Sequence, residues 1–264
     1  MAAVSQGLVE FANHFRQPAS PGVEVIETSR YRLTLQPDYP IPGPNSVSWI
    51  RCASDEVDGV VDEVRAVFQS RRLPAMWIVD PAAEPADLPE RLAARGVTPD
   101  RIAPEVKVMV LGASANIAPP EVAGLEMHDA LADSESFRNS DRVNAIAFGD
   151  VEREPAAQER RRLNQLAAGD RRVILATIDG EPAGSAGMTL HPPAGAIISG
   201  AAVLETFRGR GVYRALVAER LRIAREAGAA GLSVWGGPMS APILERLGFR
   251  AVGWRRFYVD RELA

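Results

Sequence analysis

Two stretches of this chain, residues 46 to 111 and 196 to 259, run through the same succession of hydrophobic periods: strand, helix, strand, helix, strand. That shared order is the strongest constraint on the fold, because alternating strands and helices bury their apolar faces by stacking helices on a sheet. In the first stretch, strands are expected at Ser46 to Cys52, Ala75 to Val79 and Val106 to Leu111, with helices from Asp55 to Arg71 and Ala86 to Arg95. In the second, strands at Ala196 to Leu204, Leu232 to Trp235 and Phe249 to Val259 alternate with helices from Val212 to Ala227 and Ala241 to Leu247. A sequence echo accompanies the shared order: Leu88-Pro89-Glu90-Arg91-Leu92 is similar to Ile243-Leu244-Glu245-Arg246-Leu247, each before a closing strand. The fold class is therefore α/β (α+β), in two lobes. The small, uncharged, proline-ended run Gly112 to Pro120 reads as a connector, which places one lobe at 1–115 and the other at 116–264.

Further elements fill in around these. A helix is expected from Val4 to Phe15, and strands at Val23 to Thr28, Tyr31 to Leu35 and near Leu125. Helices follow at Ser134 to Phe148 and Glu154 to Ala168, the second with Arg160, Arg161 and Arg162 expected in solvent. Asp179-Gly180 between Arg172 to Ile178 and Pro182 to Leu190 is the signature of a two-residue hairpin.

A length of 264 residues with 46% apolar content is enough for one large core or two ordinary ones. The net charge of -4 supplies no broad cationic field, which argues against nucleic acid as a partner. The start of the chain lacks a signal-peptide pattern and no apolar run reaches the length of a membrane span, so a cytoplasmic protein, monomer or homodimer, is expected. A single cysteine, Cys52, within an apolar strand reads as core packing. His14, His128 and His191 show no ligand spacing; they are expected at the surface or as caps, and no metal site is expected.

The chemistry concentrates at Glu205-Thr206-Phe207-Arg208-Gly209-Arg210-Gly211-Val212-Tyr213, between a strand and a helix. The first N–H groups of a helix lack intrahelical partners, and the helix dipole adds positive charge there, so an anion is stabilised. Glycines let the backbone close around oxyanions, and Arg208, Arg210 and Arg214 add cationic donors. Spacing alone leaves open a tight turn with solvated arginines. A dinucleotide fingerprint would need glycine at Arg214, and a Walker loop would need Lys followed by Ser or Thr where Val212-Tyr213 stand.

The segment Ala202 to Leu216 resembles the acetyl-coenzyme A motif of the GNAT superfamily, Arg/Gln-x-x-Gly-x-Gly/Ala between strand and helix. Ile243-Leu244-Glu245-Arg246-Leu247-Gly248-Phe249 resembles that family's closing helix and its Leu-Gly-Phe turn. The resemblance extends back to the Val173 to Leu190 hairpin. It implies two GNAT-like lobes, each a mixed, mostly antiparallel twisted sheet flanked by helices, with acetyl-CoA as acyl donor and a small-molecule amine as acceptor. It further implies that the backbone of Ala202, Val203 and Leu204 bonds the pantetheine arm as an added strand, and that the amides of Arg208, Gly209, Arg210, Gly211, Val212 and Tyr213, with Arg214, hold the pyrophosphate. Tyr213 departs from the family's usual Gly or Ala.

The catalytic residues stay unassigned. The family's tyrosine acid falls on Leu244, and its carboxylate base has no counterpart on the strand 197–204, Glu205 being the nearest. Direct attack on the bound thioester through water, with positioning as the main contribution, is one reading. A coenzyme A-binding sensor or interaction module without turnover is the other. The first lobe has Ala53-Ser54-Asp55-Glu56 where the second has its arginines and glycines, so it is expected to bind no pyrophosphate and to help wall the acceptor pocket.

Overall fold

The computed structural model describes residues 4–149 and 151–263. Strands β1 (Glu24–Glu27), β2 (Arg32–Leu35) and β3 (Ser46–Ser48) are followed by helix α2 (Val57–Arg71), β4 (Met76–Val79), α3 (Leu88–Ala94), β5 (Val97–Pro99) and β6 (Glu105–Gly112), with α1 (Gln6–His14) ahead of them. Then come β7 (Leu125–Asp129), α4 (Ser134–Phe148), α5 (Pro155–Ala168), β8 (Arg171–Ile178), β9 (Glu181–His191) and β10 (Gly195–Val203). The chain ends with α6 (Val212–Glu226), β11 (Gly231–Gly236), α7 (Ala241–Arg246) and β12 (Arg250–Asp260). Among the described residues, no helix is long and apolar enough to cross a membrane.

The contacts divide the chain into two compact units whose membership crosses residue 115. The C-terminal unit comprises Met1–Phe15, Val108–Val234 and Pro242–Val252; the N-terminal unit comprises Arg16–Lys107, Trp235–Ala241 and Gly253–Ala264. Each holds a mixed, mostly antiparallel sheet. In the N-terminal unit the order is β1-β2-β3-β4-β12, with β5 on β12 and only β3 and β4 parallel. Helix α2 covers it because Val57, Val60, Val61, Val64 and Phe68 recur at helical spacing and are all buried against Leu33, Val47 and Trp77. Burial of each such side chain contributes roughly 1.5–3 kcal/mol. Cys52 lies in this core, as its apolar surroundings suggested. Arg65 of α2 grips Asp260 of β12 through two hydrogen bonds of 2.9 and 3.0 Å.

In the C-terminal unit the order is β6-β11-β10-β9-β8-β7, with β10 and β11 parallel. The β8–β9 hairpin turns through Asp179 and Gly180, at φ 51° and 82°, the left-handed pair a two-residue turn requires. Helix α4 starts where the Asp133 carboxylate accepts the Ser136 N–H at 2.8 Å, and ends at Gly149 with φ 71°. Helices α4 and α6 lie on opposite faces of this sheet: Phe137 and Val143 pack with Val173, Leu175 and Ala202, whereas Val212 and Leu216 pack with Ile174, Ala176 and Ala186. Helix α1 completes the unit, burying Leu8 and Ala12 against Val108 and Val110. It beds so closely that a Cβ on Gly231 would stand 2.7 Å from a Leu8 methyl.

Three local expectations are corrected. Of the three arginines expected in solvent, only Arg160 is exposed. Arg161 donates to the buried Asp141 at 2.6 Å, and Arg162 pairs with Glu159 and reaches the Leu131 carbonyl at 2.8 Å. A carboxylate with 1% exposure needs such partners, and Asp141 also takes Gln158 and Arg153. His191 is not a surface cap but packs between Phe11 and Phe15, with ring centroids 5.7 and 4.6 Å away, and burial lowers its pKa. The strand expected over Ser46 to Cys52 is regular only to Ser48, because Trp49 takes φ 54° and kinks it.

Candidate functional site

Strand β10 pairs with β11 only through Ala196↔Leu232 and Ile197↔Ser233, and then parts from it. The change of direction falls at a bulge between Ser199 and Ala202, where Gly200 takes φ 55°. Past the bulge, Ala202 pairs with Ser185 and Val203 with Gly184, and the Leu204 N–H is donated to the Ala183 carbonyl at 3.0 Å. Backbone groups alternate along a strand, so those of Ala201 and Val203 point away from β9. The Val203 carbonyl accepts the Arg208 Nε–H at 3.3 Å, which fits that direction.

Residues Glu205–Phe207 form one 3-10 turn, with the Phe207 N–H bonded to Leu204 and the Arg208 N–H to Glu205. From Gly209 through Arg214, no backbone N–H finds an acceptor among the described residues; the first N–H bonded back along helix α6 is that of Ala215, to Gly211 at 3.0 Å. Gly209 and Gly211 both have left-handed φ, 75° and 92°, and Gly211 is the N-cap of α6. A Cβ on Gly211 would stand 3.0 Å from Pro120, so glycine is required there by conformation and by space. Arg208, Arg210 and Arg214 are exposed around this turn, Arg210 stacking on Phe207 with 5.5 Å between the guanidinium carbon and the ring centroid. Tyr213 points inward, and burial raises its pKa. The arrangement is a cup of unpaired N–H groups at a helix start, ringed by guanidinium groups, which is suited to a diphosphate.

The N-terminal unit repeats this segment without the cup. Its 3-10 turn Ser54–Glu56 lies 151 residues before Glu205–Phe207, as Trp49 with φ 54° lies 151 before Gly200. Its helix start Val57 lies 155 before Val212, as Met76 lies 155 before Gly231. The four residues by which the spacings differ are Arg208 to Gly211. Moreover, Ile50 and Cys52, the counterparts of Ala201 and Val203, are taken: the Glu84 N–H donates to Ile50 O at 3.0 Å and the Cys52 N–H to Glu84 O at 3.3 Å. One of the unit's own peptides occupies the strand edge that β10 leaves unpaired.

Arg220 of α6 was not singled out from the sequence, although an arginine among Leu216, Val217 and Leu221 on an apolar helix face was the signal. It is 1% exposed, its Nε donates to Leu216 O at 3.0 Å, and its Nη2 has no hydrogen-bond partner. Burial lowers its pKa from the ordinary guanidinium range to about 10. Below pH 10 the folded and unfolded forms are both protonated and the burial penalty, about 3 kcal/mol, is fully present; it is relieved as pH rises above 10, where only the unfolded form still holds the proton. Arg220→Met is therefore expected to raise stability at pH 7 by about 1–3 kcal/mol in urea denaturation. Unchanged or lower stability would mean that the guanidinium is compensated.

Residues 135–249 match the family model described as Acetyltransferase (GNAT) family. The matched stretch takes in the loop Arg208 to Gly211 and helix α6. Among solved structures, a GCN5-related N-acetyltransferase from Kribbella flavida aligns with TM-score 0.64 at 18% identity, covering 97% of this chain and 92% of that one. A conserved protein of unknown function from Staphylococcus epidermidis aligns with TM-score 0.70 at 14% identity, over 97% and 99%. A tandem GNAT protein from the clavulanic acid biosynthesis pathway aligns with TM-score 0.61 at 17% identity, over 91% and 84%. These likenesses are of fold. No curated protein sequence matches the chain.

Proposed function

We propose that the protein transfers the acetyl group of acetyl-CoA to the amine of a small molecule, with the C-terminal unit as the acyl-CoA-binding domain. The observation that carries this reading is the four-residue loop Arg208 to Gly211, which leaves the N–H groups of Gly209 through Arg214 without acceptors. A diphosphate accepts from such groups at a helix start. The outward backbone of Ala201 and Val203 extends the same path and suits the amides of a pantetheine arm.

With the thioester carbonyl beside the Val203 N–H, that donor stabilises the negative charge developing on its oxygen. The amine nitrogen bonds to the carbonyl carbon, the carbon–sulfur bond breaks, and the amine's proton leaves through water to the thiolate. No side chain is assigned to acid or base work. Leu244, where the family carries tyrosine, is fully buried and has no proton to give, and Glu205 is exposed in the 3-10 turn. Positioning then supplies most of the acceleration. The same Leu244 favours a second reading, an acyl-CoA-binding protein without turnover.

Thiol release from acetyl-CoA with a broad panel of small amines separates the two. Release dependent on an amine, with the N-acetylated product found by mass spectrometry, is expected. Tight acetyl-CoA binding without release across the panel would overturn the enzyme reading and leave the binding reading standing.

A further inference from the structure

We propose that the N-terminal unit carries a second small-molecule site, selective for an oxyanion group such as a carboxylate or phosphate. In this unit a cavity of about 270 Å³ is lined by Arg16, Glu27, Tyr31, Arg32, Trp49 and Arg51, among others. Three guanidinium groups thus meet one carboxylate. Glu27 is shared between Arg16 and Arg32, and Arg51 is held by Asp80 at 2.9 Å, so one positive charge is left over even when Asp80 is counted.

Arg32 gives the site its direction. It is 6% exposed, and two of its nitrogens are committed, one to Glu27 and one to the Gln17 carbonyl, while its buried Nε–H has no acceptor. An unmet buried donor costs about 1–3 kcal/mol, more for a charged group, and an oxyanion entering the cavity would accept from the guanidinium groups that line it. Arg16 lies over the Trp49 ring with 4.3 Å to its centroid, and Arg51 at 5.6 Å, so the aromatic surface holds the guanidinium groups in place.

The repeat supplies an independent argument. Arg32 pairs with Ser48 as Gly187 pairs with Ser199 in the C-terminal unit. Over Gly187 lies the Arg171 guanidinium, so near that a Cβ there would be 2.2 Å from its Nη2, and Arg171 donates to Thr189 at 3.1 Å and Ser199 at 3.2 Å. Both units therefore bring a guanidinium to the neighbourhood of the equivalent strand pair, by different residues. Glu84 closes the N-terminal unit's counterpart of the cofactor edge, but the unit keeps its cationic cavity, which points to binding without acyl transfer.

The test titrates the full chain with inorganic phosphate and, separately, acetate, in a Gly211→Glu background so that the C-terminal loop does not contribute. Calorimetry is expected to detect saturable uptake of at least one probe, weakened about tenfold by Arg16→Gln, whose side chain is half exposed, and unchanged by the surface control Arg222→Gln. The Arg32 Nε–H resonance in the natural chain is expected to shift on saturation. A phosphate-only response assigns a phosphorylated ligand, an acetate response a carboxylate. No saturable uptake of either probe, equal weakening by both substitutions, or an unmoved Arg32 resonance would each overturn the proposal.

Discussion

Gly211→Glu is expected to weaken acetyl-CoA binding at least about a hundredfold while leaving a folded protein. Two effects add. The residue holds φ 92°, where a side chain costs about 1–2 kcal/mol, and its Cβ would press on Pro120 at 3.0 Å, so the cup must shift. The new carboxylate would also stand among the N–H groups meant for a diphosphate; two like charges about 5 Å apart at an effective dielectric of about 20 repel by about 3 kcal/mol. Gly209→Ala is the informative partner, because that glycine has φ 75° and an added Cβ would meet nothing within 4 Å. It should cost about 1 kcal/mol of stability and change affinity little. Calorimetry with saturating acetyl-CoA reads both, and native-like uptake by Gly211→Glu would remove the loop from cofactor binding.

Those elements whose signal is local were legible in the sequence. Asp179-Gly180 fixes its hairpin because both residues tolerate left-handed φ, and the valine spacing of α2 specifies its buried face without reference to the rest of the chain. The strand, glycine-flanked loop and helix around Gly211 were legible for the same reason, together with the echo of 88–92 in 243–247, which lie 155 residues apart, the spacing that the helix starts also keep. Partners distant in sequence were not. Nothing near Arg161 announces Asp141, and Asp260 does not announce Arg65 across 195 residues. Short strands escaped too: β5, three residues ending in proline, is set by its pairing with β12 and by the burial of Val97 in the core. The taken edge at Ile50 and Cys52 depends on where the peptide of Glu84 returns, which no periodicity encodes.

A fragment of residues 119–264, cut at the apparent connector, is expected not to fold cooperatively. The C-terminal unit would lose α1 and residues 108–112, and with them Leu8, Val108 and Val110, each with no exposure in the whole chain. At roughly 1.5–3 kcal/mol apiece, those three side chains alone represent about 5–9 kcal/mol, comparable with the whole stability of a typical domain. The fragment would also keep residues 253–264 while lacking β4 and β5, with which Arg256 to Asp260 pair, and lacking Arg65, which holds Asp260. An uncompensated carboxylate and an unpaired strand edge favour association over folding. Urea denaturation followed by near-ultraviolet circular dichroism should show no sharp transition for the fragment. A cooperative transition with retained acetyl-CoA binding would mean that α1 and the 108–112 strand are dispensable, and that the connector at 112–120 divides the chain more completely than its packing implies.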